Sequence, residues 1–112
     1  MLFFKLYLIH TLQVNFVQKY GKWAVVTGGT GGIGKAYAVE LARRNMNILL
    51  IDLNESTLQF VSQEIQNKTG AIVDYMAADF TGGPEVFTEI EDRLKKYDIG
   101  ILVNCAGLTN RV

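Results

Sequence analysis

A glycine-rich run between an apolar segment and an amphipathic segment constrains this sequence most. Residues 27–34 read TGGTGGIG and follow the apolar residues 23–26. After the run, Ile33, Tyr37 and Leu41 recur at a spacing of four, which is typical of one face of a helix. Glycines let a backbone turn sharply and approach an anion closely, and a helix N-terminus presents free N–H groups to it. The pattern therefore predicts a strand–turn–helix unit that binds the pyrophosphate of a dinucleotide.

Short apolar runs alternate with helical segments along the rest of the chain. The apolar runs predict four strands, at residues 23–27, 47–52, 71–76 and 99–104. Their nearly continuous hydrophobicity favours a parallel sheet with both faces covered. The connections are long enough for right-handed crossovers, which predicts the strand order 3-2-1-4. We therefore expect an α/β, Rossmann-like, doubly wound sheet that is truncated after its fourth strand, leaving that strand as an apolar, unpaired edge.

Three helices are expected between these strands. The first spans about residues 33–44. The second follows Asn54, a suitable N-cap, and the third begins at Gly83-Pro84 because proline is well tolerated at the first helical position. Helix ends are predicted at Asn45 and Gly70. The apolar stripes expected to face the core comprise Leu58, Val61 and Ile65 in the second helix and Phe87, Ile90 and Leu94 in the third.

Several residues at the predicted carboxyl ends of the strands suit cofactor binding. The glycine-rich run itself supplies Gly28, Thr30, Gly31, Gly32, Ile33 and Gly34. Asp52 ends the second strand, where a carboxylate can accept hydrogen bonds from both hydroxyls of an adenosine ribose. A 2′-phosphate would be repelled there, so the residues favour NAD, with NADP as the alternative. Asp52 could instead only satisfy backbone donors at a helix N-terminus.

Two later segments complete the predicted site. Asp79, followed by Phe80, is placed to bind the adenine amino group, or else only bonds its own turn. The Asn104 side chain can tie adjacent strands together through backbone groups, and the small residues Ala106 and Gly107 let the backbone pass beside the cofactor.

Composition excludes several other classes of function. The chain carries 11 basic and 11 acidic residues and no net charge, so we expect no nucleic-acid partner. One cysteine and one histidine cannot form a disulfide or a Cys/His metal site, and no metal residues are predicted. Cys105 is interpreted as a small packing residue rather than a reactive thiol.

The first 19 residues form a separate apolar segment ahead of the predicted domain at residues 20–112. Residues 1–17 are shorter than the ~20 residues of a spanning helix and include Lys5 and His10. Three interpretations stay open: a helix at a membrane interface, the remnant of a membrane anchor, or translated sequence without function.

Three motifs together resemble the cofactor-binding half of the short-chain dehydrogenase/reductase family. They are TG-x-x-x-G-x-G at residues 27–34, Asp79, and NCAG at residues 104–107, where the family usually has asparagine in place of Cys105. The resemblance covers about residues 20–108. Residues 20–28 (YGKWAVVTG) and 99–104 (IGILVN) are similar to the branch that contains 17-beta-hydroxysteroid dehydrogenases and very-long-chain 3-oxoacyl-CoA reductases.

This resemblance implies an oxidoreductase that interconverts hydroxyl and ketone groups on a steroid or a long-chain acyl-CoA. It places the protein in steroid or lipid metabolism, including fatty acid elongation. It also implies a location at the endoplasmic reticulum membrane, with the cytoplasm as the alternative, and a homodimeric full-length parent. The branch commonly prefers NADP, whereas Asp52 favours NAD.

The resemblance also bears on catalysis, because the family uses a serine together with a Tyr-x-x-x-Lys motif. None of the five tyrosines in the 112 residues has lysine four positions later. We therefore predict no catalytic residue here and expect the isolated chain to be inactive. The alternatives are a non-catalytic nucleotide-binding or interaction module, or a truncated gene product.

Overall fold

A parallel four-stranded sheet with helices on both faces forms the fold. The computed structural model describes residues 21–105, so the predictions for residues 1–20, Ala106 and Gly107 lie outside the described residues. Within the described part, no helix has both the length and the hydrophobicity needed to cross a membrane. The elements in chain order are β1 (Trp23–Thr27), α1 (Gly32–Arg43), β2 (Asn47–Asp52), α2 (Glu55–Thr69), β3 (Val73–Ala77), α3 (Pro84–Leu94) and β4 (Ile99–Asn104).

The strand order is β3-β2-β1-β4 and all pairings are parallel, which confirms the predicted doubly wound topology. β1, β2 and β4 have the predicted bounds. β3 was expected at residues 71–76 but starts at Val73, because Ala71 is still engaged with the end of α2. The N–H of Ala71 donates to the hydroxyl of Thr69 over 3.1 Å.

Two apolar layers hold the helices against the sheet. On one face, α1 and α2 pack over alternate strand residues such as Val26, Ile48 and Leu50, which are fully buried. On the other face, α3 packs over Val25, Leu49, Ile51 and Met76. Burial of each large aliphatic side chain contributes roughly 1.5–3 kcal/mol. Since both faces of β1 and β2 are covered, these strands form the centre of the core.

The helix ends follow the local sequence signals. The Asn54 side chain accepts a hydrogen bond from the Thr57 N–H over 3.0 Å, which caps α2 as predicted. Gly70 ends α2 with φ at 77°, a left-handed conformation that glycine adopts without steric cost. Asn45 follows α1 and has φ at 69°. Pro84 is the first residue of α3.

The inward face of α3 differs from the prediction at one residue. Ile90 is buried and Leu94 packs against the core, but Phe87 is 55% exposed, so its predicted inward position was wrong. Val86 takes the inward position instead, four residues before Ile90, and four-residue steps keep side chains on one helix face. Phe87 lies beside Phe80, with ring centroids 6.2 Å apart.

β4 borders the sheet with β1 as its neighbour among the described strands. Its register shifts between Trp23 and Ala24, which pair with Ile99 and Ile101 and leave Gly100 as the extra residue. Leu102 is 64% exposed. β4 therefore exposes one large apolar side chain, and whether its outer edge is paired stays a prediction.

Candidate functional site

The glycine-rich turn connects β1 to α1 at the carboxyl edge of the sheet. Gly28 has φ at 68°, which a residue with a Cβ rarely adopts, and its N–H donates to the Ile51 carbonyl over 2.8 Å. Gly34 packs directly on this turn, since a Cβ at Gly34 would lie 2.1 Å from the Gly28 carbonyl oxygen. The turn therefore folds back tightly onto the first turn of α1.

Gly32, the first residue of α1, has a different environment. A Cβ added there would meet nothing within 4 Å among residues 21–105, and the residue is solvent-exposed with no positive φ. Neither packing nor backbone conformation requires glycine at this position. The open space lies beside a helix N-terminus, where a glycine lets a ligand approach the backbone closely. The residues present thus fit a bound pyrophosphate.

The N-terminus of α1 offers hydrogen-bond donors that no side chain caps in the part of the chain that the structure describes. Gly31 is the N-cap and provides no side-chain hydrogen bond, and the first turn contains no acidic residue. The first N–H groups of a helix have no partner within it, so those of Gly32, Ile33 and Gly34 depend on other acceptors. α2 differs, because Asn54 caps it and Glu55 lies in its first turn. α3 also lacks a side-chain cap hydrogen bond at its N-cap, but it has Glu85 in its first turn, so α1 is the helix suited to an external anion.

Asp52 lies beside this turn at the end of β2 and is joined to it. Its Oδ2 accepts hydrogen bonds from both the N–H of Thr30, over 3.0 Å, and the Thr30 hydroxyl. Its Oδ1 accepts from the Leu53 N–H over 2.8 Å. The structure thus brings two predicted site residues, Thr30 and Asp52, into direct contact. The bonds to N–H groups also correspond to the alternative interpretation, in which the carboxylate satisfies backbone donors.

Asp79 and Phe80 follow β3 at the same edge of the sheet. One carboxylate oxygen of Asp79, Oδ1, accepts from the Thr81 hydroxyl over 2.6 Å and from the Thr81 N–H over 2.9 Å. The hydrogen bond from the Thr81 hydroxyl lowers the pKa of this exposed carboxyl below its ordinary value, and the bond from the Thr81 N–H lowers it to a smaller extent. Asp79 therefore bonds its own turn, and among residues 21–105 its second oxygen accepts no hydrogen bond.

The end of β4 is tied to β1 through a residue that the sequence did not single out. The Thr27 hydroxyl donates to Oδ1 of Asn104 over 2.7 Å, and the Cys105 N–H donates to the Thr27 carbonyl over 3.0 Å. Asn104 was expected to bridge strands through backbone groups, but the bridge runs through the Thr27 side chain. Cys105 is fully buried, and burial raises the pKa of its thiol, as suits a packing residue.

These elements place the glycine-rich turn, Asp52, Asp79 and Asn104 along one edge of a doubly wound parallel sheet. This arrangement defines a nucleotide-binding protein of the Rossmann type. The model of the short chain dehydrogenase family matches residues 22–112. The chain belongs to the short-chain dehydrogenase/reductase family and carries its nucleotide-binding region.

Curated relatives agree with this assignment. Over 96 residues the chain is 47% identical to human "Inactive hydroxysteroid dehydrogenase-like protein 1", an alignment covering 86% of this chain and 29% of the relative. Over 97 residues it is 45% identical to rat 17-beta-hydroxysteroid dehydrogenase type 3, covering 87% of this chain and 31% of that protein. The chain thus spans about three-tenths of the length of these relatives.

Solved structures of related enzymes share the fold. A 7beta-hydroxysteroid dehydrogenase superposes with a TM-score of 0.73 at 28% identity, covering 80% of this chain and 34% of that one. A short-chain dehydrogenase from Sphingobium yanoikuyae, determined in complex with NADPH, gives a TM-score of 0.65 at 31% identity, covering 71% of this chain and 32% of that one.

Proposed function

We propose that this chain is the cofactor-binding part of an NAD(P)-dependent oxidoreductase that interconverts hydroxyl and ketone groups on a steroid or a long-chain acyl-CoA. The open space at Gly32, next to the uncapped N-terminus of α1, carries this proposal, because both suit a pyrophosphate. The cofactor would supply the hydride, and this chain's residues would hold and orient it. The steroid substrate is supported by the hydroxysteroid dehydrogenases among its relatives, and the acyl-CoA substrate by the sequence resemblance.

The proposed cofactor is NAD, with NADP as the alternative. Asp52 places a carboxylate beside the glycine-rich turn, where it would repel a 2′-phosphate and accept a hydrogen bond from a ribose hydroxyl. The remaining predicted contacts, from Asp79 and Phe80 to the adenine and from Asn104, Ala106 and Gly107 beside the cofactor, belong to the same proposal.

A second candidate is a nucleotide-binding protein without turnover. It is favoured by the 47% identity to a relative whose name includes the word "inactive". Both candidates bind a dinucleotide, so we expect the 112-residue chain to bind cofactor. We expect this chain by itself to reduce no ketone, because its 112 residues contain no Tyr-x-x-x-Lys motif. Association with the endoplasmic reticulum membrane and a homodimeric parent remain proposals from the resemblance.

The Gly32→Val variant tests the proposed site. We expect it to fold as the original chain does, because no described residue lies within 4 Å of the new Cβ. Its side chain would fill the space assigned to the pyrophosphate, so NADH affinity should fall at least ~30-fold, the equivalent of ~2 kcal/mol. The measurement is a fluorescence titration of the 112-residue chain with NADH, with folding checked by circular dichroism.

Ala36→Val is the matched control. Ala36 is an exposed residue of α1, one turn beyond Gly32, so its substitution puts the same valine side chain on this helix away from the proposed site, at a helix-propensity cost that Gly32→Val does not carry. NADH affinity should stay within twofold of the original. Unchanged affinity in a folded Gly32→Val variant, or binding of neither NADH nor NADPH by the original chain, would refute the proposed function.

A further inference from the structure

The hydrogen bonds around Asp52 limit what its carboxylate can still accept. The N–H and the hydroxyl of Thr30 both donate to Oδ2, and the Leu53 N–H donates to Oδ1. A carboxylate offers about four lone-pair positions, two on each oxygen. Residues 21–105 use three of them, which leaves one position, on Oδ1, within this described part of the chain.

A ribose that offers two hydroxyls to Asp52 needs two acceptor positions. One hydroxyl can use the remaining position on Oδ1. The second would need Oδ2, where the Thr30 N–H and hydroxyl occupy both positions. The N–H is fixed by the backbone of the turn, so the Thr30 hydroxyl is the group that competes with the ribose.

We infer that the Thr30 hydroxyl sets how strongly Asp52 discriminates between NADH and NADPH. This inference rests on the proposed function. The hydroxyl blocks a second ribose contact, which weakens NADH binding, and its donated proton offsets part of the carboxylate's negative charge, which weakens the repulsion of a 2′-phosphate. Thr30 is thus a specificity-determining residue that moderates the preference for NADH, while Asp52 provides it.

The same chain contains a matched arrangement at Asp79. Thr81 donates its N–H and its hydroxyl to one oxygen of Asp79, just as Thr30 does to Asp52. The two threonine–aspartate pairs therefore lose the same interaction when threonine is replaced by valine. Asp79 is proposed to bind the adenine, which NADH and NADPH share, so its pair should not affect the choice between them.

The test compares the ratio of the NADPH and NADH dissociation constants in variants of the 112-residue chain, measured by fluorescence titration. Thr30→Val keeps the side-chain shape and the N–H but removes the hydroxyl. We expect the ratio to rise about fivefold, the effect of one hydrogen bond, through tighter NADH and weaker NADPH binding. Thr30→Ser keeps the hydroxyl and should retain the original ratio, as should Thr81→Val.

A double-mutant cycle with Asp52→Ala links the effect to the carboxylate. When Asp52 is absent, Thr30→Val should leave the ratio unchanged, because the two residues act through one interaction. A ratio that falls or stays the same in Thr30→Val, or that rises equally in Thr81→Val, overturns the inference while leaving dinucleotide binding in place. If the folded Gly32→Val variant binds NADH as tightly as the original chain, or if the original chain binds neither NADH nor NADPH, the proposed function is refuted and this inference with it.

Discussion

Gly32 and Gly34 lie two positions apart in one turn, yet their surroundings differ. At Gly34 a Cβ would collide with the chain itself, 2.1 Å from the Gly28 oxygen and 3.0 Å from the Gly29 Cα. At Gly32 a Cβ would meet no atom of the described residues within 4 Å. We therefore interpret Gly34 as required for folding and Gly32 as required for a ligand.

This contrast predicts opposite effects on stability. Gly34→Ala should lower the free energy of unfolding by about 2 kcal/mol or more, because backbone atoms of the turn must move to admit the methyl group. Gly32→Ala should stay within about 1 kcal/mol of the original chain or stabilise it, since alanine favours a helix more than glycine does. Urea unfolding followed by circular dichroism measures both, and equal losses in the two variants would contradict the interpretation.

At the scale of single residues, the sequence predicted which residue types lie at the carboxyl edge of the sheet. It did not predict which of these side chains form hydrogen bonds with each other. Asp52 could be placed at the end of a strand because apolar runs locate strands. Its contact with Thr30 depends on how the turn folds back over β2, 22 residues away. The Thr27–Asn104 bond likewise joins side chains 77 positions apart. A threonine at a strand end is the signal that could have suggested it, but threonine is common in strands.

At the scale of elements, most bounds could be predicted because each has a local physical cause. Asn54 caps α2, Gly70 ends it, and Pro84 begins α3. The exception is the apolar face of α3. Val86, Phe87, Ile90 and Leu94 satisfy two overlapping helical stripes, and the sequence alone could not show which stripe the sheet would bury. The structure buries the one that includes Val86.

Substitutions in α3 can check which face is buried. Ile90→Ala should lower the free energy of unfolding by about 2–4 kcal/mol, because Ile90 packs against Val25, Leu49, Ile51 and Met76. Phe87→Ala removes a larger side chain but one that is 55% exposed, so its cost should be about 1 kcal/mol or less. The comparison uses urea unfolding of both variants. A larger loss of stability for Phe87→Ala would indicate that the buried face of α3 is the one containing Phe87, as the sequence predicts.

At the scale of the whole molecule, the strand order followed from the alternation of strands and helices, since right-handed crossovers leave few topologies. The described sheet ends at β4, whose Leu102 is exposed, and the chain spans about three-tenths of the length of the hydroxysteroid dehydrogenase relatives described above. The relation between pH and stability is another property of the whole fold, and the sequence could not predict it because it depends on burial.

Burial raises the pKa of Tyr37, Tyr97 and Cys105, and this predicts that the fold weakens at alkaline pH. Two of these groups, Cys105 and Tyr37, lie in the same buried cluster. Desolvation raises the pKa of the Cys105 thiol above its ordinary value of 9.0. Desolvation is the main cause that raises the pKa of Tyr37 above its ordinary value of 10.0, and the electrostatic interaction with Cys105 adds to it. Cys105 and Tyr37 contribute fully to the free energy of unfolding while the pH lies below their unfolded-state pKa values of 9.0 and 10.0. As pH rises above them, the unfolded chain releases protons that the folded chain still holds, so the free energy of unfolding decreases.

Urea unfolding at pH 7, 9 and 10 measures this loss, and a double variant, Tyr37→Phe with Cys105→Ala, provides the control. The double variant should start from a lower stability, because both side chains are buried in the core. Between pH 7 and pH 10, however, it should lose less stability than the original chain, because neither group remains to titrate. An equal loss in both proteins would mean that other groups determine the alkaline limit of this fold.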